Sequence, residues 1–554
     1  MDKIKNSKSK GIKWIAQNAG FALVPVIVLS LLGAVMSFVA MSFAFASKNV
    51  LDVATGASND TMASAIIPLC VLIASYIIIH IVYSVVDVKL SCTITNRLAN
   101  DLYKKILSRK LADIAKFHSG DLVNRLNGDV SVVTAGIMGI VPTLVQLTAR
   151  VVFSFGALYL LDRNFALLCI VILPFVTVAG RIYGKRMKGL HKKSRAASGK
   201  VFSYMQEGIQ NLLIIKTFVK EAASAKKLSD LQDISMRLNV KAGIISMVAN
   251  LLFFAVMTFG YYCALVWCAY KISIGIMTVG TLTAVLQLFD QLQTPFGEFS
   301  SVIPQYYRTM ASVERIQEVE NITPDEYGEQ QLCKDFCSLH ISNISFGYGD
   351  KCVLRSANAQ IPAGQMTVIG GESGTGKSTL IKLIMGVLDA DCGDIYFQNQ
   401  NGSKLQCGAN TRANFAYVPQ GNMILSGTVR SNIGFYNDAV SEDDIIQSAK
   451  DACIYDYIMS LPDGFDTMLG EGGAGLSEGQ VQRLAIARAL CTDARVLMLD
   501  EATSALDSQT EQDVLLNIKK RSGLTSIVIS HRKCAFDVAD NVINIQGCQI
   551  VQKS

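Results

Sequence analysis

The chain has 554 residues, half of them hydrophobic and only 17% charged, with a mean hydropathy of +0.34. That is too apolar for an ordinary soluble enzyme. The net charge of +6 reads as membrane topology and not as nucleic-acid affinity, because the basic residues gather in particular loops of the apolar half.

Long apolar runs dominate residues 1–310, which read as a membrane domain. Lys3, Lys5, Lys8, Lys10 and Lys13 open the chain, and Ile12, Trp14 and Ile15 among them read as a short interfacial helix. The apolar run that follows is too long for a signal peptide and carries no evident cleavage site. Six stretches are long enough to cross ~30 Å of hydrocarbon, which takes ~20 helical residues. They are Phe21–Ala46, Met62–Val88, Gly136–Leu161, Phe165–Gly184, Ile244–Tyr270 and Ile276–Ile303, the last being the most polar.

The connections Lys48–Thr61, Asp162–Asn164 and Lys271–Gly275 carry one basic residue each. The others are dense in them: Lys104, Lys105, Arg109 and Lys110, then Arg181, Lys185, Arg186, Lys192, Lys193 and Arg195. The positive-inside rule therefore puts both termini in the cytosol of a multi-pass protein in a cell membrane. None of the 14 cysteines falls in an outer segment, so no disulfide framework is implied. Cys333 and Cys337 have no second Cys or His pair nearby and read as thiols, not as half of a metal site.

Inside the spans, Gln146 and Arg150 lie in the third, and Gln287, Asp290 and Gln291 in the sixth. At 1.5 Å per residue, Arg150 and Asp290 both fall near mid-membrane. Polar groups there face a cavity or each other. Two readings stay open: the five residues line a translocation path, with Arg150 and Asp290 paired, or they bridge helices and never see substrate. His80 and Asp87 lie toward the inner leaflet and mark the interface.

After a linker at 311–335, residues 336–554 read as a soluble α/β domain with short apolar strands and frequent glycine. Met366–Ile369 is an apolar strand; Gly371, Glu372, Ser373, Gly374, Thr375, Gly376, Lys377, Ser378 and Thr379 follow; a helical pattern then begins at Leu380. This is a phosphate-binding loop in its strand–loop–helix context: backbone N–H groups converge on phosphates, Lys377 reaches the β and γ oxygens, and Ser378 can ligate Mg²⁺. A second motif, Leu476-Ser477-Glu478-Gly479-Gln480, lies a hundred residues on. The strand Val496–Leu499 ends in Asp500 and Glu501: one carboxylate to hold Mg²⁺ and one to polarise the attacking water. His531 follows a further apolar strand, Ser526–Ile529.

Together these features resemble an ATP-binding cassette transporter of the exporter type, in its half-transporter form: a helical membrane domain of six spans fused to one α/β P-loop ATPase domain. The resemblance covers nearly the whole chain. It implies adenine stacking by Tyr348, phosphate binding by 371–379, and a signature at Ser477, Gly479 and Gln480 that caps the ATP of a second subunit. It further implies γ-phosphate and Mg²⁺ sensing by Gln420, Mg²⁺ ligation by Ser378 and Asp500, catalysis by Glu501, and a switch histidine at His531. Gly470-Glu471-Gly472 matches the loop that contacts the membrane domain, and Ser504–Asp507 matches the dimer-contact loop. Ser119–Val130 looks like the first coupling region, and Glu207–Glu221 like the second. Glu478 departs from the commoner glycine of the signature.

What the resemblance implies is ATP-driven export of an amphipathic small molecule, lipid or peptide, with ATP and Mg²⁺ as cofactors and a homodimer in the lipid bilayer as the working unit. Half of a heterodimer, an importer on the same fold, or an ATP-gated channel or regulatory subunit are the alternatives. Cargo is not named by these residues.

Overall fold

The computed structural model describes residues 11–553 apart from 326, 327, 334, 350, 422, 423 and 438, with the backbone alone at 168–186, 188, 191, 294, 296, 297, 300, 301, 471 and 553. Lys3, Lys5, Lys8 and Lys10 lie outside the described residues, as do the side chains of Arg181, Lys185, Arg186 and Glu471 and those of most of the fourth expected span. The chain forms two compact units. The first comprises the residues up to Lys104 with Ser119–Glu320; the second joins Lys105–His118 to the residues from Asn321 onward.

Six long helices build the first unit: α1 (Leu23–Ala54), α2 (Met62–Leu107), α3 (Val130–Leu161), α4 (Arg163–Gln210), α5 (Glu221–Ser273) and α6 (Val279–Glu320). Among the described residues, Gly20–Ala54, Met62–Leu107, Ser119–Leu161 and Glu221–Ser273 are long and apolar enough to cross a membrane. The fourth and sixth expected spans fall on α4 and α6. At 32 to 53 residues these helices outrun the ~20 residues that a bilayer needs, so each continues beyond its apolar stretch. α6 also runs past residue 310 to Glu320, which leaves 321–335 for the linker.

Helices in lipid gain little by burying apolar surface, so close backbone approach and internal polar bonds must hold them. Both are present. A Cβ on Gly136 of α3 would sit 2.1 Å from Thr309 Oγ1 of α6, and one on Gly260 of α5 would sit 2.8 Å from Phe289 Cζ. Asp162 caps α4 by accepting the N–H groups of Asn164 and Phe165. The same buried carboxylate accepts from Lys271 Nζ at 2.6 Å and Trp267 Nε1 at 3.0 Å, which ties the α3–α4 turn to the end of α5.

Ser119–Val130, expected to couple the two domains, is bonded to α6 within the first unit. Arg125 bonds Asp121, Glu318 and the Arg315 carbonyl, while Asp129 accepts from Ser312 and the Arg315 guanidinium. Arg125 and Asp129 stand four apart, so one face of this turn presents both to α6. The segment that joins the second unit is the preceding one, 105–118, with its short helix Leu111–Ile114.

The second unit is built on β1 (Phe336–Tyr348), β2 (Lys351–Pro362), β3 (Met366–Gly370), β4 (Cys392–Asn399), β5 (Lys404–Gln406), β6 (Phe415–Val418), β7 (Gly427–Thr428), β8 (Met468–Leu469), β9 (Val496–Asp500), β10 (Thr525–Ile529), β11 (Asn541–Gln546) and β12 (Gln549–Lys553). One sheet runs β12-β11-β3-β10-β9-β6, parallel from β11 to β6; a second, antiparallel sheet runs β2-β1-β4-β5. β3, β9 and β10 are buried at every residue. Central parallel strands covered on both faces read as unbroken apolar runs, which is how they stood out in the sequence. Three helices matter for the site: α7 (Lys377–Ile384), α8 (Glu478–Leu490) and α9 (Ser508–Lys520).

Gly136→Ala is expected to lower the thermal midpoint of the detergent-solubilised protein by several degrees, since overpacking costs about 1–3 kcal/mol. Adding Thr309→Gly should recover most of the loss. A single variant as stable as the parent would show that α3 and α6 do not meet there.

Candidate functional site

The loops after β3, β6, β9 and β10 open at one edge of the parallel sheet, the place where such sheets carry their ligand sites. After β3 the chain turns through Gly371 at φ +138° and Gly376 at φ +99°. Both positions exclude other residues: added Cβ atoms would lie 2.6 Å from the Ile545 carbonyl and 2.4 Å from Val353 Cγ1. Glu372, Ser373, Gly374 and Thr375 form the turn between them, pinned by Thr375 Oγ1 donating to the Glu372 carbonyl at 2.9 Å. α7 then starts at Lys377, followed by Ser378 and Thr379, so its free N–H groups face the loop.

Lys377 is 5% exposed and donates to the carbonyls of Gly371 (3.0 Å) and Glu372 (2.8 Å). Burial pulls its ammonium below the usual lysine range, against the opposing pull of Glu501 and Asp500. Phosphate oxygens would supply the negative charge this cation is short of.

Ser378 Oγ donates to Asp500 Oδ1 at 3.0 Å, and Tyr417 Oη to Asp500 Oδ2 at 3.2 Å. Burial pushes the Asp500 carboxyl up despite these two bonds, and the neighbouring Glu501 adds to the effect. A buried carboxylate and a hydroxyl side by side make an all-oxygen donor pair that suits Mg²⁺ shared with phosphate oxygens, so the residues present fit the ion that the family uses.

Glu501 sits just past β9 in the left-handed region, φ 52°, a strained setting for a non-glycine residue. Two groups hold its carboxylate: Gln420 Nε2 donates to Oε2 at 2.7 Å, and His531 Nε2 lies 3.4 Å from Oε1. The structure thus brings Gln420, Glu501 and His531 together, and places Ser378, Lys377 and Asp500 beside them. Gln420, expected to sense the γ-phosphate and Mg²⁺, donates here to the carboxylate beside the Ser378–Asp500 pair.

Tyr348 ends β1, half exposed at 53% and set edge-to-face on Phe346 with centroids 5.0 Å apart, leaving a ring face open for stacking. Ser477 caps α8 in a reciprocal box: its Oγ accepts from Gln480 N–H, and Gln480 Oε1 accepts from Ser477 N–H at 2.8 Å. Glu478, which stands where glycine is commoner, occupies the first turn, where a negative charge suits the helix N-terminus. Gly479 packs against the Ala505 carbonyl, and Gln482 holds that loop through Ser504 Oγ and Ala505 N–H. Among the described residues no hydrogen bond joins Ser477, Gly479 or Gln480 to the loop 371–379. Tyr417 and Gln482 escaped the sequence reading; each stands in or beside a motif, but only strand register and loop packing show what it touches.

In the first unit, Gln291 bridges two neighbouring helices, accepting from Ser154 Oγ of α3 and donating to the Ala40 carbonyl of α1. Gln146 packs its Cβ on Gly33, and its carbonyl accepts from Ser37. Arg150 is half-buried, while Gln287 and Asp290 are exposed in the single chain. Among the described residues no ion pair joins Arg150 to Asp290.

A family model for the ABC transporter transmembrane region matches residues 26–296, and one for the ABC transporter ATPase, described simply as ABC transporter, matches 354–504. The ATP-dependent lipid A-core flippase of Pseudomonas fluorescens strain Pf0-1 is 30% identical over 474 residues, covering 84% of this chain and 78% of that protein. The chain belongs to the ABC transporter family. An uncharacterized ABC transporter ATP-binding protein of Bacillus subtilis, YknU, is also 30% identical, over 81% of this transporter and 77% of its own length. In fold, the transporter is similar to a bacterial Atm1-family ABC exporter solved with ATP bound, at a TM-score of 0.77 and 24% identity over 96% of this chain and 94% of that one. The expected architecture, a helical membrane domain followed by an ABC ATPase domain, is what these matches and the model both present.

Glu501→Gln is expected to cut ATP hydrolysis about 10²–10⁴-fold while nucleotide binding persists, read by phosphate release beside equilibrium binding. Hydrolysis within twofold of the parent would remove Glu501 from the catalytic role. Because the Asp500 pKa is raised, protons compete with Mg²⁺ at a higher pH than for an ordinary aspartate. The Mg²⁺ requirement should therefore climb as pH falls, beginning above the pH at which an ordinary aspartate takes up its proton, and less steeply in Asp500→Asn.

Proposed function

We propose that the transporter works as a homodimer that drives an amphipathic lipid or lipid-like molecule outward across a cell membrane, with both termini and the ATPase domains in the cytosol. One observation carries the dimer: within a single chain the hydrolytic residues assemble, while the signature residues Ser477, Gly479 and Gln480 make no hydrogen bond to the phosphate loop. A capped helix N-terminus beside an exposed Ser477 is built to meet phosphate, and a second cassette offers one. Two usable copies then form two composite sites. The lipid class follows from the relatives named as lipid A-core flippases, and the residues of the membrane unit do not narrow it further.

The chain's own groups divide the work. The backbone N–H groups of 371–379 and Lys377 bind and orient the ATP phosphates, and Tyr348 stacks on the base. Ser378 and Asp500 would hold Mg²⁺, which when bound neutralises charge on the β and γ oxygens. Glu501, oriented by Gln420 and His531, accepts a proton from the attacking water. ATP gripped by both cassettes favours the closed pair, and hydrolysis removes that preference. Gln420 bonds Glu501 directly, so any shift of the loop after β6 is felt at the catalytic carboxylate.

The test is reconstitution of this chain alone in lipid nanodiscs and in vesicles carrying a fluorescent lipid. Expected are two copies per particle, Mg²⁺-dependent ATP hydrolysis, and lipid movement to the opposite leaflet that ceases in Glu501→Gln. A folded, ATP-binding protein that neither hydrolyses nor dimerises would overturn the homodimer.

A further inference from the structure

Asp500 is reached from two sides, and only one of them belongs to the phosphate loop. We infer that Tyr417 is a positioning residue for the metal site: its hydroxyl holds one oxygen of Asp500, which leaves the other turned to Ser378 for Mg²⁺. This rests on the reading of Asp500 and Ser378 as the Mg²⁺ residues.

The geometry follows from strand register. β6 is the edge strand of the parallel sheet and pairs with β9 so that Tyr417 stands opposite Met498, two residues before Asp500. A tyrosine side chain is long enough to span those two residues, and its hydroxyl lands 3.2 Å from Oδ2. Ser378 Oγ takes Oδ1 at 3.0 Å. With both oxygens engaged, the carboxylate plane has no freedom to swing away from α7. Asp500 is 2% exposed, so bulk water has little access to the oxygen that the phenol holds. Three residues on, Gln420 donates to Glu501 at 2.7 Å. A single stretch, 417–420, therefore holds both carboxylates of the Asp500–Glu501 pair, one by a phenol and one by an amide. Partners that orient a ligand without touching the metal typically change metal affinity or activity 10–100-fold when removed.

Tyr417→Phe deletes the one oxygen and keeps the ring between β6 and its neighbours. The test uses the full-length transporter in nanodiscs, in a Glu501→Gln background so that ATP is not consumed. ATP affinity is measured in EDTA and across a Mg²⁺ titration, with the thermal midpoint as a check of folding. Expected is an unchanged affinity in EDTA and a Mg²⁺ requirement raised about tenfold. An unchanged Mg²⁺ requirement overturns the inference, and so does a loss of affinity equal with and without Mg²⁺, which marks a packing role only. Asp500→Asn separates the two levels. If it raises the requirement and Tyr417→Phe does not, the positioning role fails alone; if neither does, the assignment of Asp500 to Mg²⁺ fails with it.

Discussion

Two carboxylates side by side at the end of a fully buried strand are the constraint around which the ATPase domain is arranged. Asp500 and Glu501 repel each other, and burial raises the cost of charging the first of them. Ordinary folding would avoid such a pair. Here the neighbouring segments gather round them: Ser378 from the start of α7, Tyr417 from β6 and Gln420 from the loop after it donate hydrogen bonds, and His531 after β10 lies 3.4 Å from Glu501. The result is a pair of adjacent carboxylates whose negative charge Mg²⁺ would offset. Strain at Glu501, with φ at 52°, is part of the same arrangement, since the backbone must turn sharply to aim adjacent side chains into different parts of one site.

The membrane unit solves a different problem. With lipid outside and apolar side chains everywhere, hydrophobicity does not choose which helices pair. Glycine contacts and a few polar anchors do. Asp162 shows how much one group can specify: as helix cap, ion-pair partner and acceptor for a tryptophan, it defines the turn between α3 and α4 and where α5 ends. Gln291 does similar work among α1, α3 and α6. Its bonds to two other helices support the structural reading for that residue. Gln287 and Asp290, exposed on the single chain, keep the translocation reading open.

The second unit takes in a piece of chain from far upstream, 105–118, along with the linker. Thr323 and Asp325 exchange backbone hydrogen bonds with Lys110 and Ser108, and Asp325 is held by Arg412, which also caps the carbonyl end of α7 at Met385 and Gly386. The helix that follows the phosphate loop is thus tied at its far end, through Arg412 and Asp325, to the linker.

Composition, the apolar runs, and the ordered motifs were enough to identify a membrane domain fused to an ATPase and to nominate residues for its ATP site. Those signals are local: a phosphate loop needs glycines and a lysine at fixed spacing, and a buried parallel strand must be apolar along its length. The sequence was silent where the outcome depended on partners distant in the chain. The charges of Ser119–Val130 gave no sign of their partners, and Arg125 and Asp129 find Glu318 and Arg315 almost two hundred residues away. Tyr417 is one more aromatic in a short strand until the register of β6 on β9 carries its hydroxyl to Asp500. Spacing along the chain determined which chemical groups the protein owns; only tertiary packing decided which of them meet, because hydrogen bonds act over about 3 Å and take no account of sequence distance.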